Sequence, residues 1–77
     1  MEFKEISDLG LVSALVTLGY APKERTKSGK RVTFIFETDD ELERIVEDFW
    51  NNRLDVDARK FHMTMKSVKN SIYQMED

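Results

Sequence analysis

The stretch RTKSGKRVTFIFE, residues 25–37, contains the two features that decide the fold. Val32, Phe34 and Phe36 recur at every second position, which is the spacing of a β-strand that buries one face. Ser28-Gly29 precedes this run and is typical of a tight turn. The stretch therefore predicts a β-hairpin whose second strand contributes one face to the core. The two arms would be residues 20–26 and 31–37.

Two loop lengths fit this hairpin. A two-residue turn at Ser28-Gly29 would place Lys23 and Arg25 opposite the large apolar residues of the second strand. A three-residue loop, residues 27–29, shifts the pairing by one residue and sends Lys23 and Arg25 to the outer face. We favour the three-residue loop, because Gly29 then takes the left-handed position that follows a type I turn.

The chain before the hairpin predicts a short strand and a buried helix. Apolar and charged residues alternate over Phe3–Ile6, and Ser7 is a suitable N-cap for a helix over residues 8–18. Gly19 stands where a left-handed C-cap residue is expected. The helix is apolar around most of its circumference, so we expect it to form the centre of the core.

The chain after the hairpin predicts two amphipathic helices. The sequence TDDE suggests a capping box, in which Thr38 caps the helix and Glu41 returns a hydrogen bond. Asn51-Asn52 would close this helix, and a third helix would run from Asp55 or Asp57 to about residue 73. The apolar stripe of the second helix is Leu42, Ile45, Val46, Phe49 and Trp50. The inward face of the third helix is Ala58, Phe61, Met65, Val68, Ile72 and Met75.

These elements predict a single small α+β domain over residues 1–77, in the order β-α-β-β-α-α, with helices packed against a small antiparallel sheet. One apolar cluster should join all of them. Truncating Phe49 or Phe61 to alanine should cost about 3–5 kcal/mol of stability if both lie in that cluster. The expected members are Leu15, Phe34, Phe36, Ile45, Phe49, Phe61, Met65 and Val68.

Four segments of the chain resemble one family of proteins. They are DLGLVSALVTLGY, RVTFIFE, LERIVEDFWNNRLDVDARKF and VKNSIY, which lie between residues 8 and 73. The family consists of short bacterial and phage-encoded proteins and is catalogued only as a domain of unknown function. The resemblance implies a phage or prophage setting and implies no activity or site residues.

The composition argues against an enzyme and against a bound cofactor. The chain has no cysteine, and His62 is its only histidine, so thiolate metal sites and disulfides are excluded. No catalytic triad spacing or glycine-rich phosphate loop is present. The most apolar run, residues 9–18, is half as long as a membrane-spanning helix. We therefore expect a cytoplasmic protein that needs no metal or cofactor and has no membrane partner.

Charge is distributed in blocks, although the whole chain carries −3. Residues 22–31 carry +4, residues 37–48 carry −6 and residues 53–69 carry +3. The acidic block lies on the second helix, residues 39–51, and predicts a face that binds a basic partner protein. The residues assigned to this face are Asp40, Glu43, Glu47, Asp48 and Trp50.

Two other partners are compatible with the sequence. The basic residues at the hairpin tip and on the third helix could instead bind the phosphates of nucleic acid, with one tyrosine for base stacking. A small sheet with one open apolar face could also form a homodimer. The residues of the nucleic-acid alternative are Lys27, Lys30, Arg31, Arg59, Lys66, Lys69 and Tyr73.

Overall fold

The six elements follow one another in the expected order, and the α+β class is confirmed. The computed structural model describes residues 1–75. The elements are β1 (Glu2–Ile6), α1 (Leu9–Thr17), β2 (Glu24–Ser28), β3 (Arg31–Thr38), α2 (Asp40–Trp50) and α3 (Ala58–Gln74).

The three strands form one antiparallel sheet in the order β1-β3-β2. Val32, Phe34 and Phe36 of β3 are buried in the same cluster as the apolar residues of α1. On the opposite face, Phe3 is 54% exposed and pairs across the sheet with Glu37. The helices therefore cover one face of the sheet, and β3 is the strand at its centre.

The register of the hairpin differs from both predicted registers. Ser28 pairs with Arg31, so the turn consists of Gly29 and Lys30. Gly29 has φ 62°. A glycine with positive φ at the first central position is typical of the type II′ turn, which matches the twist of the flanking strands. The two-residue loop is therefore one residue later than the Ser28-Gly29 alternative.

This register places two basic side chains of β2 on the inner face of the sheet, so the predicted outward direction of Arg25 was wrong. Arg25 pairs with Phe34, and Lys27 pairs with Val32. Both side chains extend past the core to the end of α3. The Arg25 guanidinium donates to the Ser71 carbonyl at 3.4 Å, and the Lys27 ammonium donates to the carbonyl of residue 75 at 3.1 Å. Cations are stabilised there by the carbonyl end of a helix.

The helix caps are one residue later than predicted. Asp8, rather than Ser7, caps α1 and accepts from the Leu11 amide at 2.9 Å. Asp39 caps α2 and accepts from the Leu42 amide at 2.8 Å. The reason is that a carboxylate accepts an amide hydrogen bond more strongly than a hydroxyl does.

The predicted capping box is therefore not formed. Thr38 is the last residue of β3, and its hydroxyl donates to Glu43 Oε2 at 2.8 Å. Glu41 is exposed and does not pair with Thr38. For α3, Asp57 is the N-cap, which agrees with one of the two predicted starts.

The predicted helix ends are confirmed. Gly19 has φ 105°, and its amide donates to the Val16 carbonyl at 3.0 Å. The next amide, that of Tyr20, donates to the Leu15 carbonyl at 3.0 Å. These two bonds form a Schellman motif, which requires the left-handed residue that glycine supplies. Asn52, after α2, has φ 58°.

Helix α1 lies at the centre of the core, as predicted, with Val12 and Leu15 fully buried. The predicted cluster is correct for Leu15, Phe34, Phe36 and Val68, and Ile45 and Phe49 pack at its margin. Phe61 and Met65 are half-buried and lie outside it. The reason is length: α3 has 17 residues and spans about 25 Å, whereas α1 has 9 residues and spans about 14 Å. Helix α1 is therefore too short to cover the whole of α3.

Candidate functional site

The acidic face of α2 is exposed to solvent over most of its length. Asp40, Glu43 and Glu47 are exposed, and Asp48 is half-buried. The buried residues of the helix, Leu42 and Val46, lie on the opposite side. The structure therefore places the predicted carboxylates together on one outward surface.

Two of these carboxylates are already paired within the chain. Glu43 accepts from the Thr38 hydroxyl at 2.8 Å and from the Lys4 ammonium at 3.1 Å. These hydrogen bonds, the one from Thr38 most of all, hold the pKa of Glu43 below its ordinary value. Asp48 forms an ion pair with Arg53 at 3.6 Å. Glu47 and Asp40 form no ion pair among residues 1–75.

Trp50 extends this surface at the last residue of α2. Its indole is 59% exposed and packs edge-on against Phe49, with ring centroids 5.0 Å apart. Glu43, Glu47 and Trp50 are spaced at i, i+4 and i+7, so they lie along one flank of the helix. The ion pair between Lys4 and Glu43 shows that this flank faces β1.

A recess of about 380 Å³ separates that flank of α2 from β1. Sequence reasoning did not predict it, because a strand order of β1-β3-β2 is needed to place β1 at the edge beside α2. It is lined by Lys4, Glu5, Ile6, Ser7, Asp8, Leu11, Val46 and Trp50.

The basic residues come together where the hairpin tip meets α3, next to Ser7 and Asp8. Lys30 and Arg31, in and after the hairpin turn, line a surface depression with Ile72 of α3. Lys69 and Tyr73 flank Ile72 on the same part of the helix and are exposed. The structure therefore joins two basic segments that are about forty residues apart in the sequence.

The remaining predicted basic residues differ in position. Arg59, Lys66 and Tyr73 are exposed and follow one another at intervals of seven residues, so they share one side of α3. Arg59 lies about 21 Å along the helix from Tyr73 and is remote from the hairpin. Lys27 is bound to the end of α3 through its ammonium group.

The chain was compared with known protein families, curated proteins and solved structures. The family model described as "Domain of unknown function (DUF5659)" matches residues 2–74. The chain belongs to this family. The match confirms the resemblance drawn from the four sequence segments. No curated protein and no solved structure matches this DUF5659 domain. In residues 1–75, no helix is long and apolar enough to cross a membrane.

Proposed function

We propose that this DUF5659 domain is a non-enzymatic interaction protein that binds a basic surface of a partner protein through the acidic face of α2. The observation that carries the proposal is the exposed Trp50 beside the unpaired carboxylate of Glu47 on one flank of the helix. Tryptophan is enriched among residues that dominate binding energy at interfaces. A half-exposed indole next to acidic groups suits a partner that presents both apolar and basic side chains.

The charge distribution supports a specific orientation of that partner. Residues 37–48 carry −6, whereas residues 22–31 carry +4 and residues 53–69 carry +3. An acidic surface attracts a basic one over a Debye length of about 8 Å at physiological salt and repels acidic competitors. The partner would therefore approach α2 rather than α3. The proposed role is that of an accessory protein acting in the cytoplasm, in the phage or mobile-element setting that the family resemblance implies.

A charge-reversal experiment tests the acidic face. Asp40→Lys with Glu47→Lys removes the two carboxylates that have no internal ion pair, and Trp50→Ala removes the indole. We expect either variant to lose the partner that the wild-type protein captures from host-cell extract, as quantified by mass spectrometry. Circular dichroism would check that each variant folds.

The matched control carries the same change in net charge at a different place. Glu24→Lys with Asp55→Lys alters two exposed acids outside α2. This control variant should capture the same partner as the wild-type protein. If the partner bound equally well to the Asp40→Lys, Glu47→Lys variant and to this control variant, the acidic-face proposal would be refuted.

The junction of the hairpin tip with α3 favours nucleic-acid binding as a second candidate function. Lys30 and Arg31 line a depression with Ile72, and Lys69 and Tyr73 are exposed on the neighbouring positions of α3, which is an arrangement suited to successive phosphates and one stacked base. Binding to a short oligonucleotide would weaken linearly in a plot of log affinity against log salt concentration. The double variant Lys30→Ala, Lys69→Ala should lower the magnitude of that slope by about two, because about two fewer counterions are released on binding. No binding of single- or double-stranded oligonucleotides at low salt would exclude this function.

A further inference from the structure

Strand β1 lies at the edge of the sheet, and the direction of its free backbone groups follows from the hydrogen bonds of β3. The Lys23 amide donates to the Ile35 carbonyl at 2.7 Å, so Ile35 points its backbone groups toward β2. Successive residues of an antiparallel strand point to alternate sides. Phe34 and Phe36 therefore point toward β1.

The partners of these two residues are Ile6 and Lys4, which use their own backbone groups to bond β3. The intervening residues, Phe3 and Glu5, must then direct their N–H and C=O groups away from the sheet. No strand in residues 1–75 pairs with this side of β1. Four backbone donors and acceptors are therefore available to an added strand.

Helix α2 forms a wall beside this free edge. The recess of about 380 Å³ lies between β1 and α2, with Trp50 and Val46 on the helix side and Leu11 beneath. An added strand would run about 4.8 Å from β1. Its inward side chains would enter the recess and contact the exposed Trp50. Pairing along a sheet edge beside a helix is a recurring mode of peptide recognition.

The rim of the recess selects a basic occupant. Glu5 lies beside the edge on the outer face that it shares with Phe3, and Glu47 lies on the flank of α2 that faces β1. Neither carboxylate forms an ion pair among residues 1–75. Lys4, which lines the recess, is already bound by Glu43 at 3.1 Å, and Asp8 shares a neighbouring depression with Lys30 and Arg31. Lysine or arginine side chains of an added strand would therefore meet unbalanced negative charge.

One symmetric pairing of two copies fits the edge poorly. Two β1 strands paired through Phe3 and Glu5 would place the two Lys4 side chains directly opposite each other, and like charges in opposed positions are destabilising. A register centred on Phe3 would instead place Lys4 opposite Glu2 of the other copy. Amide exchange at the edge, described below, distinguishes a second copy from a partner strand.

We propose that the free edge of β1 binds an extended basic segment of a partner protein as a fourth strand, with an apolar side chain of that segment against Trp50. This inference rests on the proposed function, because it names the segment that the acidic face of α2 recognises. The backbone of Phe3 and Glu5 supplies the pairing, and the carboxylates of the rim supply the selectivity for basic residues.

The first test uses a capped, fluorescently labelled seven-residue peptide with valine at its centre and lysine or arginine at the other positions, so that basic side chains lie on both faces of the strand. Fluorescence anisotropy should show that the peptide binds the full chain saturably, with a Kd below about 1 mM. The same peptide methylated at every backbone nitrogen has no N–H group to offer on either edge and should bind at least about tenfold more weakly. A glutamate version should not bind. Equal binding of the methylated or the glutamate peptide, or no binding of the basic one, would overturn the proposal.

The second test changes the edge itself. Glu5→Pro removes an outward N–H without removing a bond to β3, and proline is tolerated at such edge positions. Glu5→Gln is the matched control, since it removes the charge and keeps the amide. We expect Glu5→Pro to lower the affinity for the basic peptide at least about tenfold, and Glu5→Gln to lower it at most about threefold.

Amide hydrogen exchange of the wild-type protein provides a test that does not depend on how the proline variant folds. The amides of Phe3 and Glu5 should exchange quickly in the free protein and become protected when the basic peptide is added. Protection of both amides in the free protein as concentration rises would assign the edge to a second copy and overturn the proposal.

If Asp40→Lys with Glu47→Lys abolishes peptide binding while methylated and unmethylated peptides bind alike, the strand pairing fails and the acidic face stands. If that charge reversal leaves binding intact, the proposed function fails.

Discussion

At the scale of single residues, Ser13 is the buried polar residue of α1, the helix at the centre of the core. Its side-chain oxygen is fully buried and has no hydrogen-bond partner in residues 1–75. A buried hydroxyl without a partner costs about 1–3 kcal/mol of desolvation free energy. The neighbouring Thr17, by contrast, donates its hydroxyl to the Ser13 carbonyl at 2.7 Å.

We therefore predict that Ser13→Ala raises the free energy of unfolding by about 1–2 kcal/mol. Part of that gain is the higher helix propensity of alanine, which is about 0.5 kcal/mol. Ser67→Ala is the matched control, because Ser67 is an exposed serine inside α3 and gains only the propensity. Urea denaturation of the two variants measures the difference. A Ser13→Ala protein less stable than wild type would show that the hydroxyl has a favourable partner.

At the scale of elements, the helix caps show what the sequence could and could not specify. Each cap is an Asp: Asp8, Asp39 and Asp57. The sequence predicted where each helix begins to within a residue or two, because the apolar periodicity is strong. It did not distinguish Ser7 from Asp8 or Thr38 from Asp39. Periodicity does not separate adjacent residues that can both cap, and the stronger acceptor, the carboxylate, decides between them.

This assignment gives a prediction for α2. Asp39→Ala should lower the free energy of unfolding by about 1 kcal/mol, because the Leu42 amide loses its acceptor. Glu41→Ala removes an equal charge from the same turn and should cost less than about 0.5 kcal/mol. Thermal and urea denaturation of both variants compare the two positions. If Glu41→Ala were the more damaging change, the capping box with Thr38 would be the correct description.

The hairpin shows a second limit of prediction at this scale. Alternation fixed which face of β3 is buried, and Val32, Phe34 and Phe36 lie there as predicted. The register of β2 was wrong, because all five of its residues are exposed and no apolar pattern specifies their face. The turn chemistry of Gly29 and the bonds of Arg25 and Lys27 to α3 decide it instead.

At the scale of the whole molecule, the acidic and the basic surfaces lie beside different structural elements. The acidic flank of α2 adjoins one edge of the sheet, and the basic tip of the hairpin adjoins the end of α3. The sequence predicted these blocks of charge but not their neighbours, because strand order decides which element lies beside which. The recess beside β1 is a product of that order. For this reason the candidate site could be predicted only on its α2 side.

The position of the core leads to a graded prediction for three phenylalanines. Phe36 is 1% exposed at the centre of the sheet, Phe49 is half-buried at the margin of the cluster, and Phe61 lies outside it. Truncation to alanine should cost about 3–5 kcal/mol at Phe36, about 2–3 at Phe49 and less than about 2 at Phe61. Lys30→Ala, at the exposed turn, is the control and should change stability by no more than about 0.5 kcal/mol. Urea denaturation of the four variants gives the order. A Phe61→Ala protein as unstable as Phe36→Ala would place the first half of α3 in the core.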